Sequence, residues 1–328
     1  MPNPPITVAE FLAAVGPTFA LPENARMRRA KPRASGIANC ARQQWYYMND
    51  TEPTAERNSD QDLTAEQGRM FEGITLAIMR TKGLTVASRQ DGIPDDYPVS
   101  GHPDGDDLVS TSSDKRWRGG PGKKWGFEHK HYGRYEYERM LKLGVEQGNP
   151  EALSQILMYG DALGWDYCWM VVVSQDASAV RGDMSINKRA KNESSVWVTP
   201  DMNPKVQFFV IDINEYKGTL IPMLKMRARW LSEHVDDPTP PRAEFVPFAT
   251  GKQDKIEFPC SHCPYLRDCQ EAGQDGPRAP GLPFIKEVEW PTTSSVTPAD
   301  EPTNSTIPPT AGATTAELGL LLSLNESE

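Results

Sequence analysis

The 328-residue chain has no apolar run approaching the ~20 residues that span a bilayer. Its first residues, from Met1 to Pro5 and onward, lack the charged and apolar regions of a secretory signal, so a cytoplasmic protein without a membrane partner is expected. Cysteine is scarce and odd in number: Cys40, Cys168, Cys260, Cys263 and Cys269. That count argues against a disulfide framework. There is no internal repeat. Nor is there an excess of positive charge, since the formal net charge is −10. Residues 270–328 hold nine Asp or Glu against two Lys or Arg, which leaves only −3 for residues 1–269. Local basic patches therefore decide whether nucleic acid is a partner.

What is present divides into a patterned region and a biased tail. Thr7 and Glu10 have capping-box spacing before Phe11 and Leu12, and predict a short helix. Ser35 is placed to cap a second helix that carries Cys40, Arg42, Trp45 and Tyr46. Between them lie Arg26, Arg28, Arg29, Lys31 and Arg33. A third helix is expected over 65–79, with Met70, Ile74 and Ile78 as its apolar face. Strands are expected within 99–109 (interrupted by Pro103 and Gly105), over 125–131, over 167–175, and as a pair at 195–199 and 206–213. Helices are expected over 151–163 and 220–235. The order favours one α/β domain across residues 5–275: a small mixed sheet flanked by helices. Residues 276–328 are rich in Pro, Thr and Ser and acidic, and are expected to be a disordered tail. Within it the short apolar run from Leu318 to Leu324 is a candidate docking peptide for a protein partner, or a stub with no role.

Chemistry concentrates in the middle. Glu128 and Lys130 alternate with Phe127 and His129, so in a strand they share a face opposite Trp125 and Phe127. Alone this is an ordinary surface ion pair. Asp104 sits in Gly101-His102-Pro103-Asp104-Gly105, where glycine lets the backbone approach a neighbour closely; a turn aspartate is the plainer reading. Paired, the two strands bring Asp104 and Glu128 to one end. Two converging carboxylates call for a cation, and hard oxygen ligands suit Mg²⁺ or Mn²⁺. Lys130 can then stabilise charge on a phosphate or orient the attacking water. Gln155 and Tyr159, four apart, share a helix face. The loop 110–124 carries Lys115, Arg116, Trp117, Arg118, Lys123 and Lys124, a phosphate grip with a stacking ring or a solvated hairpin tip. Cys260-Ser261-His262-Cys263 with Cys269 leaves a fourth position that Cys40 can fill, and four thiols suit structural Zn²⁺ or an iron–sulfur cluster. Cys168 reads as a core residue.

Four segments occur in order: Gly68-Arg69-Met70-Phe71-Glu72, the Asp104 segment, Glu128-His129-Lys130, and Gln155 to Tyr159. Together they resemble the PD-(D/E)xK nuclease superfamily, in its RecB-type branch. The resemblance implies a restriction-endonuclease-like core and hydrolysis of DNA phosphodiesters. It implies that Glu72, Asp104, Glu128 and the backbone carbonyl of His129 hold the metal, although many members carry His at the Glu72 position. Lys130 is then the catalytic lysine, and Gln155 and Tyr159 are substrate-binding residues. One cysteine before these motifs and three after resemble the iron–sulfur group of CRISPR-associated and phage exonucleases. This implies a [4Fe–4S] cluster on Cys40, Cys260, Cys263 and Cys269, with zinc as the alternative. It also implies exonuclease action on single-stranded DNA, the 5′ end favoured, in phage or prokaryotic recombination, repair or CRISPR-type processing. The alternative function is a non-catalytic DNA-binding or zinc-stapled interaction protein on the same fold.

Overall fold

The computed structural model describes residues 29–54, 59–81, 83–88, 92–110, 122–174, 196–198, 206–245, 247 and 259–285. The expected helix near Thr7, the basic loop around Trp117 and the apolar run at Leu318 lie outside them. The helices are α1 (Ala41–Met48), α2 (Ser59–Thr81), α3 (Arg134–Gly148), α4 (Pro150–Leu163), α5 (Leu220–Glu233) and α6 (Leu266–Glu271). The strands are β1 (Leu84–Ser88), β2 (Asp106–Ser110), β3 (Trp125–Tyr132), β4 (Tyr167–Ser174), β5 (Val196–Val198) and β6 (Val206–Asp212). β1 and β2 pair antiparallel; β3, β4, β6 and β5 form a four-stranded sheet in that order, with β3 and β4 parallel. An antiparallel bridge between Gly105 and Phe127 joins the two sheets. Helices flank this small mixed sheet, as the element order implied.

The alternation of side chains sorts the core. Trp125 and Phe127 of β3 and Val171 and Val173 of β4 pack with Leu76 and Met79 of α2. Cys168, Met170 and Val172 of β4 pack on the other face against Met140 of α3, Ile156 and Leu157 of α4, and Leu224 of α5. Cys168 is thus a core residue. The crossover from β3 to the parallel β4 uses both α3 and α4. Asn149 separates them, its side chain accepting from the Ala152 amide at 2.9 Å, with Pro150 at the first helical position. Gly164, with φ of 72°, ends α4 in the left-handed conformation.

Four expectations change. Ser35 lies inside a 3₁₀ turn (Ala34–Gly36) and caps nothing; Cys40 is the residue that precedes α1. The polar region after β3, given no element from sequence, is α3, kinked at Gly144. Met70, Ile74 and Ile78 of α2 are exposed, because the helix buries Leu76 and Met79 instead. Finally, the first part of the expected tail is packed: Ala279 and Leu282 join the main core, and the Arg242 amide donates to the Pro277 carbonyl at 2.9 Å. The folded part therefore runs past residue 275, and residues 286–328 lie outside those described.

Candidate functional site

The Gly105–Phe127 bridge is the hinge of the site. The Gly105 amide donates to the Phe127 carbonyl at 3.2 Å and receives at its own carbonyl from Phe127 at 2.9 Å. This register puts Asp104 beside Glu128. Only glycine fits at 105, since a Cβ there would lie 2.6 Å from Val86 Cγ1. Gly101 likewise clears space for the ring of Tyr159, whose hydroxyl would stand 2.7 Å from an added Cβ.

Glu128 is buried, 1% exposed, on the face of β3 that looks at α4. Lys130 Nζ donates to Glu128 Oε1 at 2.7 Å and to Gln155 Oε1 at 2.8 Å; Gln155 Nε2 donates to the Tyr159 hydroxyl at 3.3 Å. Asp104 Oδ2 accepts from the His129 amide at 2.7 Å. Burial, and then the charge of Glu128, push the Asp104 carboxyl well above its ordinary range, against the pull of Lys130 and the His129 amide; Glu72 adds to the rise. Burial alone would lower Lys130, but Glu128 and its neighbours raise it, so the ammonium stays charged. Burial, with the Glu128 charge next, pushes the Tyr159 phenol up to about 12. Burial lowers His129 to about 4, with His131 and Lys130 contributing. Asp104, Glu128, Lys130, Gln155 and Tyr159 thus converge from the segment before β2, β3 and α4, with Glu72 of α2 near enough to act on Asp104 electrostatically.

One oxygen of this group stands out. Glu128 Oε2 is buried and has no hydrogen-bond partner, a costly arrangement for a carboxylate unless something cationic meets it. Among the described residues, no three His, Cys, Asp or Glu side chains are set to hold a metal ion as they stand. Asp104 Oδ2 and Glu128 Oε1 are instead engaged by the His129 amide and Lys130. The orphaned oxygen and the acidic, oxygen-rich donor set nonetheless fit a hard divalent cation.

Four of the cysteines gather around a separate cavity. Cys40, Cys260, Cys263 and Cys269 line one small cavity of about 20 Å³, with Arg42, Tyr46 and Tyr265 around them. Burial pushes the Cys260 and Cys269 thiols up to about 12, and the other thiols add to this; Arg42 pulls Cys269 back. The thiols are thus within electrostatic reach of one another, though no three of them converge on a single-ion position.

Sequence reasoning missed what holds this second site. Arg227 is fully buried on α5, and donates from Nη1 to Glu244 Oε1 at 2.7 Å and to the Pro280 carbonyl at 2.8 Å. It also reaches the carbonyls of Ile37 (3.1 Å) and Asn39 (2.8 Å), and pairs through Nη2 with Glu244 Oε2. Glu244 Oε2 accepts in turn from the Ala41 amide at 2.7 Å, next to Cys40. Arg42, equally buried, donates from Nη1 to the Cys269 carbonyl at 3.1 Å, with Cys269 Sγ at 3.7 Å. Arg42 was legible as the cation two residues from Cys40. Nothing local marked Arg227 or Glu244.

No protein-family model matches the sequence, and no curated protein does. Among solved structures, the chain is similar to SSO0001 (TM-score 0.40, 11% identity, covering 81% of this chain and 97% of that one). It is similar to a phage-related exonuclease from Haemophilus somnus 129PT (0.37, 10%, 63% and 96%). It is also similar to an alkaline exonuclease from Laribacter hongkongensis (0.33, 13%, 70% and 94%). At these values none of the three assigns a function.

Proposed function

We propose that this chain is a divalent-cation-dependent deoxyribonuclease, its hydrolytic centre formed by Asp104, Glu128 and Lys130. The observation that carries this is the buried Glu128 carboxylate, one oxygen on Lys130 and the other without a partner, set beside a second buried carboxylate. Burying like charges together costs stability, so a fold selected for stability alone has no use for them. Mg²⁺ or Mn²⁺ would be held by Asp104, Glu128 and the His129 carbonyl, with Glu72 beside them. When bound it would supply Lewis-acid polarisation of the phosphate and an acidified water. Lys130, already hydrogen-bonded to Gln155, offers its charge to the phosphate oxygens. Gln155 and Tyr159 orient it and border the strand.

No described helix is long and apolar enough to cross a membrane. A groove of about 370 Å³ lined by Arg29, Lys31, Asp95 and Gly101 lies beside the Asp104 segment, and its Arg29 and Lys31 offer cationic contacts to a DNA backbone. Exonuclease action on single-stranded DNA, the 5′ end favoured, is the reading adopted from the motif resemblance. For the four thiols around one cavity, a [4Fe–4S] cluster is the reading adopted from the motif resemblance, with zinc as the alternative.

The test is cleavage of end-labelled single- and double-stranded DNA with Mg²⁺, Mn²⁺ or chelator. The wild type should cut only with metal, and Lys130→Ala should not cut. Equal turnover by Lys130→Ala, or no cleavage by the wild type with either metal, would remove the proposal.

A further inference from the structure

The bridge that sets Asp104 beside Glu128 consists of two backbone hydrogen bonds between Gly105 and Phe127. Its antiparallel register fixes a second pair of positions, since one step further along Asp106 stands across from Gly126. Gly126 and Glu128, two apart on β3, share a face. The space over Gly126 is filled by the wholly buried Trp165, and an added Cβ at 126 would overlap its indole. The indole Nε1 donates to Asp106 Oδ1 at 2.6 Å. Trp165 is itself fixed by the end of α4. Its amide donates to the Gly160 carbonyl at 2.8 Å, across the left-handed Gly164, the bond that closes many helix C-termini. Asp106 Oδ1 also accepts from the Asp107 amide at 2.8 Å. Asp106 Oδ2 accepts from Lys124 Nζ at 3.2 Å, and the same ammonium donates to the Leu163 carbonyl of α4 at 3.0 Å. Both oxygens of Asp106 are thus committed to protein donors, whereas Glu128 Oε2 meets none. Asp106 supports the site and is not one of its open ligands.

We propose that Trp165 is a positioning residue of the hydrolytic centre: through Asp106 it pins the bridge in the register that keeps Asp104 beside Glu128. The inference rests on the nuclease reading and adds to it the device that holds the two carboxylates together. Asp104 and Glu128 repel one another without a cation, and two hydrogen bonds alone offer little resistance to their separation. A slip in register would carry Asp104 away from Glu128 altogether. A rigid ring anchored to α4 closes the pair at 106 and 126, and the pair at 104 and 128, one step along, stays closed with it. The same helix presents Gln155 to Lys130. One indole therefore ties together the three segments that carry Asp104, Glu128 and Gln155.

The experiment is a Mn²⁺ titration without DNA, read from the electron paramagnetic resonance of the free ion, on protein whose fold is checked by circular dichroism. Trp165→Phe keeps a ring over Gly126 and removes the donor. Its Mn²⁺ affinity should fall by about tenfold or more, the usual cost of losing a partner that orients a metal ligand. Asp106→Ala, which removes the acceptor, should fall as far, and the double variant no further. Asp106→Asn keeps an oxygen for the indole and should bind Mn²⁺ as the wild type does. If Trp165→Phe does not fold, the two Asp106 variants decide. An Asp106→Asn defect equal to that of Asp106→Ala would trace the effect to the charge of Asp106 and overturn the proposal. A lower denaturant midpoint for Trp165→Phe with unchanged Mn²⁺ affinity would make Trp165 a packing residue alone and overturn it too. If affinity is unchanged in Trp165→Phe and Asp106→Ala but lost in Asp104→Asn, the pin falls and the nuclease reading stands. A wild type that neither binds Mn²⁺ nor cuts DNA removes both.

Discussion

Asp104 is buried against a second carboxylate, so its replacement by asparagine separates what the charge costs the fold from what it does for a cation. In the absence of metal, burial and the Glu128 charge both oppose ionisation of Asp104. Asparagine removes that charge and keeps an oxygen to accept from the His129 amide, now 2.7 Å from Asp104 Oδ2. The variant should therefore be the more stable protein in chelator. A single stabilising substitution is commonly worth about 0.5–2 kcal/mol. A bound cation acts in the opposite direction. Binding at one hundred times its dissociation constant stabilises the native state by about 2.7 kcal/mol, and Asp104→Asn should lose most of this. The rank order of the two proteins should then reverse: variant above wild type in chelator, wild type above variant in saturating Mn²⁺. For a domain of this size each kcal/mol corresponds to roughly 2–4 °C in Tm, so both gaps are measurable by tryptophan fluorescence in denaturant or heat. Any metal in the cysteine site affects both proteins alike and cancels in the comparison. The reasoning is refuted if Asp104→Asn is less stable than wild type in chelator, or if Mn²⁺ raises the two proteins equally.

Two further outcomes are expected around the four cysteines. Arg227→Ala strands the half-buried Glu244 and three backbone carbonyls; removing the fully buried partner of such an ion pair costs up to about 3–5 kcal/mol, read as a shift of the denaturant midpoint, and a loss under about 1 kcal/mol would contradict it. Cys263→Ser should lower the iron and sulfide content of anaerobically purified protein and its visible thiolate-to-iron absorption together with its stability; a colourless wild type holding one zinc per chain would decide for zinc.

Where the sequence was legible, one rule governed. In β3 the side chains alternate, and burial of Trp125 and Phe127 toward α2 sends Glu128 and Lys130 toward α4 with no further information needed. The same kind of rule failed on α2. A 3.6-residue period locates a stripe of Met70, Ile74 and Ile78, but it does not say which side of the helix the rest of the protein covers. Leu76, four residues after Glu72, and Met79 mark the covered side instead. α3 escaped notice because its apolar residues are interleaved with Glu, Arg and Lys and its period breaks at Gly144. The tail was misjudged for a different reason. Proline lacks an amide donor, so a proline-rich stretch has fewer backbone groups to satisfy when it packs. The carbonyls of Pro277 and Pro280 each find a donor, and Ala279 and Leu282 supply the apolar contact. Composition counted the prolines and missed those partners.

The remaining gap concerns residues distant in sequence, and the two sites meet through them. From Cys40 the chain runs back through Asn39 and Ile37, whose carbonyls Arg227 binds, to Ala34. The Ala34 amide donates to the Ser100 carbonyl at 2.9 Å, and the Ser100 amide donates to the Pro32 carbonyl at 2.9 Å. Ser100 is followed by Gly101, which lies against Tyr159, and three residues later by Asp104. Ala34 and Ile37 pack in the same core as Ile156 and Tyr159 of α4, the helix that presents Gln155 to Lys130. The segment that leads to Cys40 is therefore hydrogen-bonded, at Ala34, to the segment that leads to Asp104. Carboxylates that repel one another hold their position only if the backbone beneath them cannot relax away. The Ala34–Ser100 pairing and the Tyr159 ring against Gly101 hold the backbone that leads to Asp104 in this way.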